Sequence, residues 1–207
     1  MLHHVRRRLH HTNERGVDDR IRFLHNVMGL WLLNESARHW QEAGELRSVE
    51  NLVRRAQDYD GIVSVFDVND PVFMPPGDMP RRISDWLTVH DQPVPKDEVG
   101  MVASIVESLA RAFADAVRVA GTLAGFSPRN ISLVGGGSLI ELLCQRLADH
   151  SGIPVIAGPV EATALGNILV QARTAGLIEG DLDALRAVSR ASSMLRTYTP
   201  SNRKGIG

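Results

Sequence analysis

The sequence predicts an α/β fold built around parallel-paired strands, and three observations carry that reading. A short apolar run, Asn130-Ile-Ser-Leu-Val134, ends in the triplet Gly135-Gly136-Gly137. A helix-length segment, ELLCQRLADHSG, follows it. A second short run, Pro154-Val-Ile-Ala-Gly158, then leads into another helical stretch, EATALGNILVQARTAG. Strand, glycine turn, helix, strand and helix in that order make an α/β unit with parallel pairing.

The rest of the chain adds elements around this unit. Residues 21–43 carry Phe23, Leu24, Val27, Met28, Leu30, Trp31 and Leu33. This spacing suits a largely buried helix, with a short strand at 20–24 as the alternative for its first residues. Residues 46–58 read as a second, more polar helix. Ile62 to Phe66 read either as a short strand or as a buried link. Residues 67–83, DVNDPVFMPPGDMPRRI, hold four prolines, a glycine and three aspartates. That is loop chemistry, because proline fixes φ and removes donors while Asn-Asp-Pro and Pro-Gly set turns. A second proline-bearing loop runs from about His90 to Val99. Residues 98–121 form an amphipathic helix, with Val102, Ile105, Val106, Leu109, Phe113, Ala116 and Val117 at three- and four-residue steps. Glu107 and Arg111 add an i,i+4 pair to it. The tail beyond Thr197 is polar and reads as loose.

Composition excludes several functional classes. The 207 residues are 43% hydrophobic and 23% charged, with a formal net charge of −1. That is too apolar and too nearly neutral for a disordered chain. Near-zero charge gives no global drive toward nucleic acid or an anionic membrane. No apolar run is long enough to span a bilayer. The one cysteine, Cys144, makes neither an internal disulfide nor a zinc site, which fits a reducing cytosol. Residues 1–11 are basic and His-rich, with no apolar stretch after them, so they read as a loose leader rather than a signal peptide. Four histidines there (His3, His4, His10 and His11) have metal-ligating chemistry but no rigid frame around them.

The feature that carries chemistry is Val134-Gly135-Gly136-Gly137-Ser138. Glycines between a strand and a helix let backbone approach a ligand, because no Cβ intervenes. The helix start beyond them offers unpaired N–H groups that favour phosphate. The spacing is neither G-x-G-x-x-G nor G-x-x-x-x-G-K-[ST], so neither a Rossmann fingerprint nor a P-loop is indicated. A tight structural turn accounts for three glycines equally well. About 25 residues on, Glu161, Ala162, Ala164 and Gly166 give the next helix a small face. That face suits close packing against another helix or against a ligand.

Taken together, VGGGS, LLCQRLAD and SGIPVIAGPVEATALGNILVQA resemble the C-terminal nucleotide-binding domain of the FGGY carbohydrate kinases. TNERGVDDRIRFLHNVMGLWLLNES, FDVNDPVFMPPGDMPRRI and IVESLARAFADAV extend the resemblance over residues 12–200, leaving 1–11 as a leader and 201–207 as a tail. RFLHNVMGLWLL with PVFMPPGDMP is most similar to the branch of the family that phosphorylates L-rhamnulose. The resemblance implies an RNase-H-like domain of the actin-like ATPase superfamily, a mixed sheet flanked by helices. It also implies that the chain starts at the third strand of that domain, with the first two strands absent.

The function implied is transfer of the ATP γ-phosphate, with Mg²⁺, to L-rhamnulose in rhamnose catabolism, giving L-rhamnulose 1-phosphate in the cytoplasm. The alternatives are a non-catalytic nucleotide- or partner-binding relic, or a kinase for another ketose such as xylulose or fuculose. Gly135, Gly136, Gly137 and Ser138 correspond to nucleotide contacts. Asn34 stands where the family has a nucleotide-contacting glutamine, and Asn26 matches a sugar-contacting asparagine, although a cap or turn amide also explains it. On one continuous helix, eight residues would set these two asparagines about 12 Å apart.

Three positions depart from the family pattern. Ile140 replaces an asparagine two residues after the serine of the glycine motif. Asn34 is one methylene shorter than glutamine, so its contact needs a bridging water. Arg15 occupies a glycine position in the TNEGG-like segment. The family's His-Asp-Thr segment, whose aspartate takes the hydroxyl proton, has no counterpart here; His90-Asp91 continues as Gln92-Pro93 in a loop. Full kinases of the family are more than twice this long. The expectation is therefore an ATP-side half-site, inactive alone, with an open sheet edge that favours aggregation and a separately encoded N-terminal kinase domain as partner.

Overall fold

A computed structural model describes residues 11–44 and 48–201. The leader with His3, His4 and His10, and the tail from residue 202, lie outside the described residues. The chain opens with a hairpin, β1 (His11–Arg15) and β2 (Ile21–His25), paired antiparallel with Thr12 opposite Leu24 and Arg15 opposite Ile21. Four helices follow: α1 (Trp31–Glu42), α2 (Val49–Gln57), α3 (Met79–Val89) and α4 (Glu98–Ala124). The last third alternates β3 (Ile131–Leu133), α5 (Glu141–Ser151), β4 (Val155–Ala157), α6 (Ala162–Thr174), α7 (Leu182–Ala191) and β5 (Arg196–Tyr198).

The second sheet has the order β3-β4-β5. β3 and β4 run parallel, as the strand–turn–helix–strand rhythm requires, with Ile131 opposite Val155. β5 runs antiparallel to β4, with Tyr198 opposite Val155, so the sheet is mixed. The tail after Thr197 is not loose up to residue 201. Gln145 Nε2 donates to Thr199 O at 2.9 Å, and Asp149 Oδ1 accepts from the Ser201 N–H at 2.8 Å.

Local chemistry sets the helix ends. Ser48, Asp78, Asp97 and Asp181 cap α2, α3, α4 and α7 by accepting backbone N–H groups. Pro80 sits in the first turn of α3, where its missing N–H costs nothing, so this helix begins inside the proline-rich stretch read as loop. α4 ends on Gly125 in the left-handed region, φ 72°.

Residues 21–25 are a strand rather than the first turns of a helix. After β2 the link 26–30 stays irregular, because the Met28 N–H is taken by Asn69 Oδ1 at 2.9 Å. Residues 62–66 are an irregular link and not a strand, with Ser64 and Phe66 buried and Ile62 and Val63 exposed. Its N–H groups go to serines of α4: Ser64 N donates to Ser104 Oγ at 3.0 Å and Phe66 N to Ser108 Oγ at 3.1 Å.

The main core lies where α1, α2, α3 and the N-terminal half of α4 meet. Leu32, Leu52, Phe73, Met79, Ile83, Leu87, Ile105 and Leu109 are fully buried there. Each side chain of that size contributes about 1.5–3 kcal/mol on burial. A smaller cluster (Cys144, Leu147, Ala148, Val155 and Ala157) joins α5 to the sheet. Glu107 bridges the two helices between these clusters, meeting Arg111 at 3.0 Å on α4 and His150 at 2.8 Å on α5.

Candidate functional site

The glycine turn sits at the C-terminal end of β3, and its three glycines do different work. Gly135 has φ 76° and ψ −165°, a conformation essentially confined to glycine. Its N–H donates to Pro159 O at 3.2 Å, which ties the turn to the end of β4. Gly136 opens a single 3₁₀ turn, residues 136–139, that leads into α5. A Cβ at Gly136 would meet only Leu30 Cδ1, at 3.8 Å, and one at Gly137 only leucine methyls at 3.8 Å. Gly135 is thus required by the backbone, whereas Gly136 and Gly137 are not required by the fold itself. Ser138 is buried and its hydroxyl donates to Gly135 O at 2.6 Å, so that group is engaged in closing the turn.

Gly136 forms part of one wall of a cleft of about 580 Å³. Leu139, Ile140 and Glu141 continue that wall, Leu33 and Asn34 come from α1 with Leu30 just before it, and α2 closes the far side. α2 contributes Val49, Glu50, Val53, Arg54 and Gln57. The floor is apolar, while Asn34, Glu50, Arg54 and Gln57 stand exposed around the rim. Glu141 is held by an ion pair to Arg196 of β5. A cleft of this size with an apolar floor and a few polar groups has the character of a small-molecule site.

α1 reaches this cleft because its other side is clamped. Trp31 Nε1 donates to Phe73 O at 3.0 Å, Glu35 Oε1 accepts the Gly77 N–H at 2.6 Å, and His39 Nε2 lies 3.4 Å from Asp78 Oδ1. Positions 31, 35 and 39 form one stripe, and all three meet the loop 73–78. Arg38 donates twice to the buried Glu35 carboxylate, at 2.5 and 3.1 Å. That pairing, with the Gly77 N–H second, holds the Glu35 pKa down to about 2.

The structure brings Asn34 and Gly136 to one cleft. It does not bring Asn26 there: Asn26 lies exposed in the link after β2, so the helical-rise spacing between the two asparagines does not apply. Arg15 pairs with Ile21 at the end of β1, and the left-handed positions of the hairpin turn fall on Asp18 and Asp19 instead. Aspartate tolerates that region, so the arginine is accommodated without strain at its own position. Sequence reading did not find the α2 wall. Its signal was present as Val49, Val53 and Gln57 at helical spacing, but a mixed polar helix gives no sign of what it faces.

Comparison with known proteins turns this geometry into a family assignment. The model of the FGGY family of carbohydrate kinases, C-terminal domain, matches residues 3–175. The chain belongs to this family. As an FGGY domain it is similar to rhamnulokinase of Pectobacterium atrosepticum, 40% identical over 189 residues, which are 91% of this chain and 37% of that protein. It is also similar to rhamnulokinase of Bacteroides thetaiotaomicron, 37% identical over 197 residues, covering 94% of this chain and 39% of that one. The FGGY domain thus spans about two fifths of the length of these relatives. Among solved structures, xylulose kinase from Rhodospirillum rubrum shares its fold, with a TM-score of 0.51 at 22% identity over 84% of this chain and 34% of that one. The α/β architecture with a mixed sheet flanked by helices therefore stands. Among the described residues no helix is long and apolar enough to cross a membrane, and no group of three or more metal-ligating side chains is assembled.

Proposed function

We propose that this FGGY chain supplies the nucleotide-binding half of an ATP-dependent kinase that converts L-rhamnulose to L-rhamnulose 1-phosphate. One observation carries the nucleotide reading. Gly136 borders the cleft, has no conformational need to be glycine, and leaves space where a side chain would stand. Glycine at such a position is explained by a ligand that approaches the backbone. A phosphate chain near Gly136 and Gly137, with the nucleoside over Leu139 and Ile140, brings Asn34 within reach from α1. Asn26, on the link between β2 and α1, is the proposed sugar-side contact. The acceptor sugar follows from the relatives named rhamnulokinase.

When bound, ATP supplies the transferable phosphoryl group, and the chain's own residues bind and orient it. Mg²⁺ would be carried on the ATP phosphates with several of its waters. Phosphoryl transfer also needs an oriented hydroxyl and a group to take its proton. No His-Asp-Thr segment is present in these 207 residues.

Calorimetric titration with ATP and ADP tests the reading, with saturable binding below about 1 mM expected. No heat at millimolar nucleotide sinks it and leaves a relic with a partner-binding role, a reading that the apolar Ile140 in the cleft wall favours. A coupled ADP-release assay with L-rhamnulose is expected to show no turnover by these residues alone. A rate near 1 s⁻¹, the low end for kinases, overturns that part. L-fuculose and D-xylulose in the same assay, on an enzyme completed with the remaining sequence, test the choice of sugar.

A further inference from the structure

α2 divides its side chains between the core and the cleft. Leu52, Val53 and Ala56 are buried, and they hold the helix in place. Glu50, Arg54 and Gln57, four and three residues apart, form a polar stripe along the cleft rim. All three are exposed. Among the described residues, Arg54 and Gln57 have no hydrogen-bond or ion-pair partner. Glu50 stands one turn before Arg54, the order that favours pairing on a helix, and the two still do not pair. The Arg54 guanidinium is therefore not committed to the fold.

The charges around the cleft single this residue out. Arg54 is the one cation in the lining. Of the two lining carboxylates, Glu141 is already ion-paired with Arg196 of β5. The opposite wall has a different chemistry. Leu139, directly after the glycine turn, is 67% exposed, and Ile140 beside it offers no side-chain hydrogen bond. A ligand between these walls meets aliphatic carbon on one face and a guanidinium on the other. A nucleobase suits both, because its flat ring covers apolar carbon and its π-face attracts a guanidinium plane.

We propose that Arg54 is a base contact of the nucleotide, its guanidinium stacking on the ring that lies over Leu139. The inference rests on the nucleotide reading above and adds a residue from α2 to it. With the phosphates at Gly136, the base extends along Leu139 and Ile140, and the far wall meets its free face. This places Arg54 on the base and not on the phosphates. Ile140 and the short Asn34 give the other walls little hydrogen-bonding reach. The base is then gripped by its faces more than by its edge.

Calorimetric titration of the 207-residue chain with ATP, and with adenosine as a ligand without phosphate, tests it. Arg54→Ala is expected to weaken both ligands by the same factor, about fivefold or more, the size of a desolvated cation–ring contact. Arg54→Lys keeps the charge and loses the plane, and is expected to bind adenosine no better than Arg54→Ala. Arg55→Ala removes the same charge from the neighbouring exposed position outside the cleft lining, and is expected to change neither affinity. Melting temperatures should be unchanged in all three, since the exposed Arg54 makes no polar contact within the fold. Loss of ATP affinity with adenosine unaffected puts the guanidinium on the phosphates and overturns the inference. Full recovery by Arg54→Lys, or an equal loss in Arg55→Ala, reduces the effect to charge and overturns it as well. So does a wild-type chain that binds ATP but takes no adenosine at millimolar concentration. Undiminished binding by Arg54→Ala overturns it and leaves the nucleotide reading intact. A wild-type chain that binds neither ligand overturns both.

Discussion

Glu35 on α1 accepts the backbone N–H of Gly77, 42 residues away, at 2.6 Å, while Arg38 holds the same carboxylate from the solvent side. The residue is 3% exposed, so its charge is sustained by these donors and not by water. Glu35→Gln keeps an acceptor for Gly77 but loses the attraction to Arg38. The melting temperature is expected to fall by several degrees, and Glu35→Ala to cost more. The pH dependence has a definite sign. The folded pKa, about 2, lies below the ordinary 4.5, so the stabilisation is fully present above 4.5 and disappears as pH falls toward 2. Thermal melts across that window should show a slope in the wild type that flattens in Glu35→Gln. An unchanged slope would place the acid sensitivity elsewhere.

Gly135 and Gly136 are neighbours with opposite expected responses to alanine. At Gly135 the positive φ with extended ψ is open only to glycine, so Gly135→Ala is expected to cost about 1–3 kcal/mol of stability. At Gly136 an added Cβ finds ordinary contact with Leu30, so stability is expected to stay within about 0.5 kcal/mol. The same Cβ intrudes on the proposed phosphate path, and ATP affinity is expected to fall at least about tenfold, equivalent to about 1.4 kcal/mol. Denaturation and calorimetry on the pair separate the two roles. Unaltered ATP binding by Gly136→Ala would mean that the phosphates lie elsewhere.

What was legible in the sequence was periodicity and glycine chemistry. The apolar steps from Val102 to Val117 gave α4, and β3, α5, β4 and α6 appeared in order because strand and helix periods alternate cleanly there. The failures have local causes. Phe23 and Leu24 fit a helical stripe as well as a strand. Only the capture of the Met28 N–H by Asn69, 41 residues away, shows where the helix does not begin. α3 was hidden because prolines at its entrance read as loop, although proline suits a first helical turn. β5 is three residues long and exists through pairing with β4, which no local pattern announces. For the proposed site, the glycine turn was legible from its own chemistry, and Asn34 was singled out through family resemblance. The α2 wall was not, since a cleft is a relation between elements.

Cys144 is expected to be chemically silent in the folded protein. Its side chain is fully buried beneath the glycine turn, with Sγ 3.9 Å from Gly137 O and 3.8 Å from Ser138 O. Burial pushes the thiol pKa up to about 11 from 9.0. The raised pKa lowers the reactive thiolate fraction near neutrality, before any steric exclusion is counted. A disulfide-exchange reagent should label the chain slowly when native and at once in denaturant. Rapid stoichiometric labelling of the native protein would show that the turn lifts from α5 on the timescale of the reaction.

Ser104 and Ser108, one turn apart on α4, do for the 62–66 link what a neighbouring strand would do. Each hydroxyl accepts an N–H from that link, and the Ser108 hydroxyl donates to Ser104 O at 2.7 Å. Both serines are buried, so water cannot replace either hydroxyl. Ser108→Ala leaves the Phe66 N–H without its acceptor and is expected to destabilise by about 1–3 kcal/mol, the cost of an orphaned buried donor. Ser104→Ala should cost a similar amount through Ser64. Because Phe66 and Phe73 pack with ring centroids 5.2 Å apart, displacement of the link should also disturb the aromatic cluster. Thr122 is the internal control: its hydroxyl donates to Arg118 O at 3.0 Å on the same helix but at an exposed site. Thr122→Ala is expected to change stability by less than about 0.5 kcal/mol. Chemical denaturation of the three variants decides the matter. Equal costs at 108 and 122 would show that the serine hydroxyls only decorate the helix and that the link is held by packing alone.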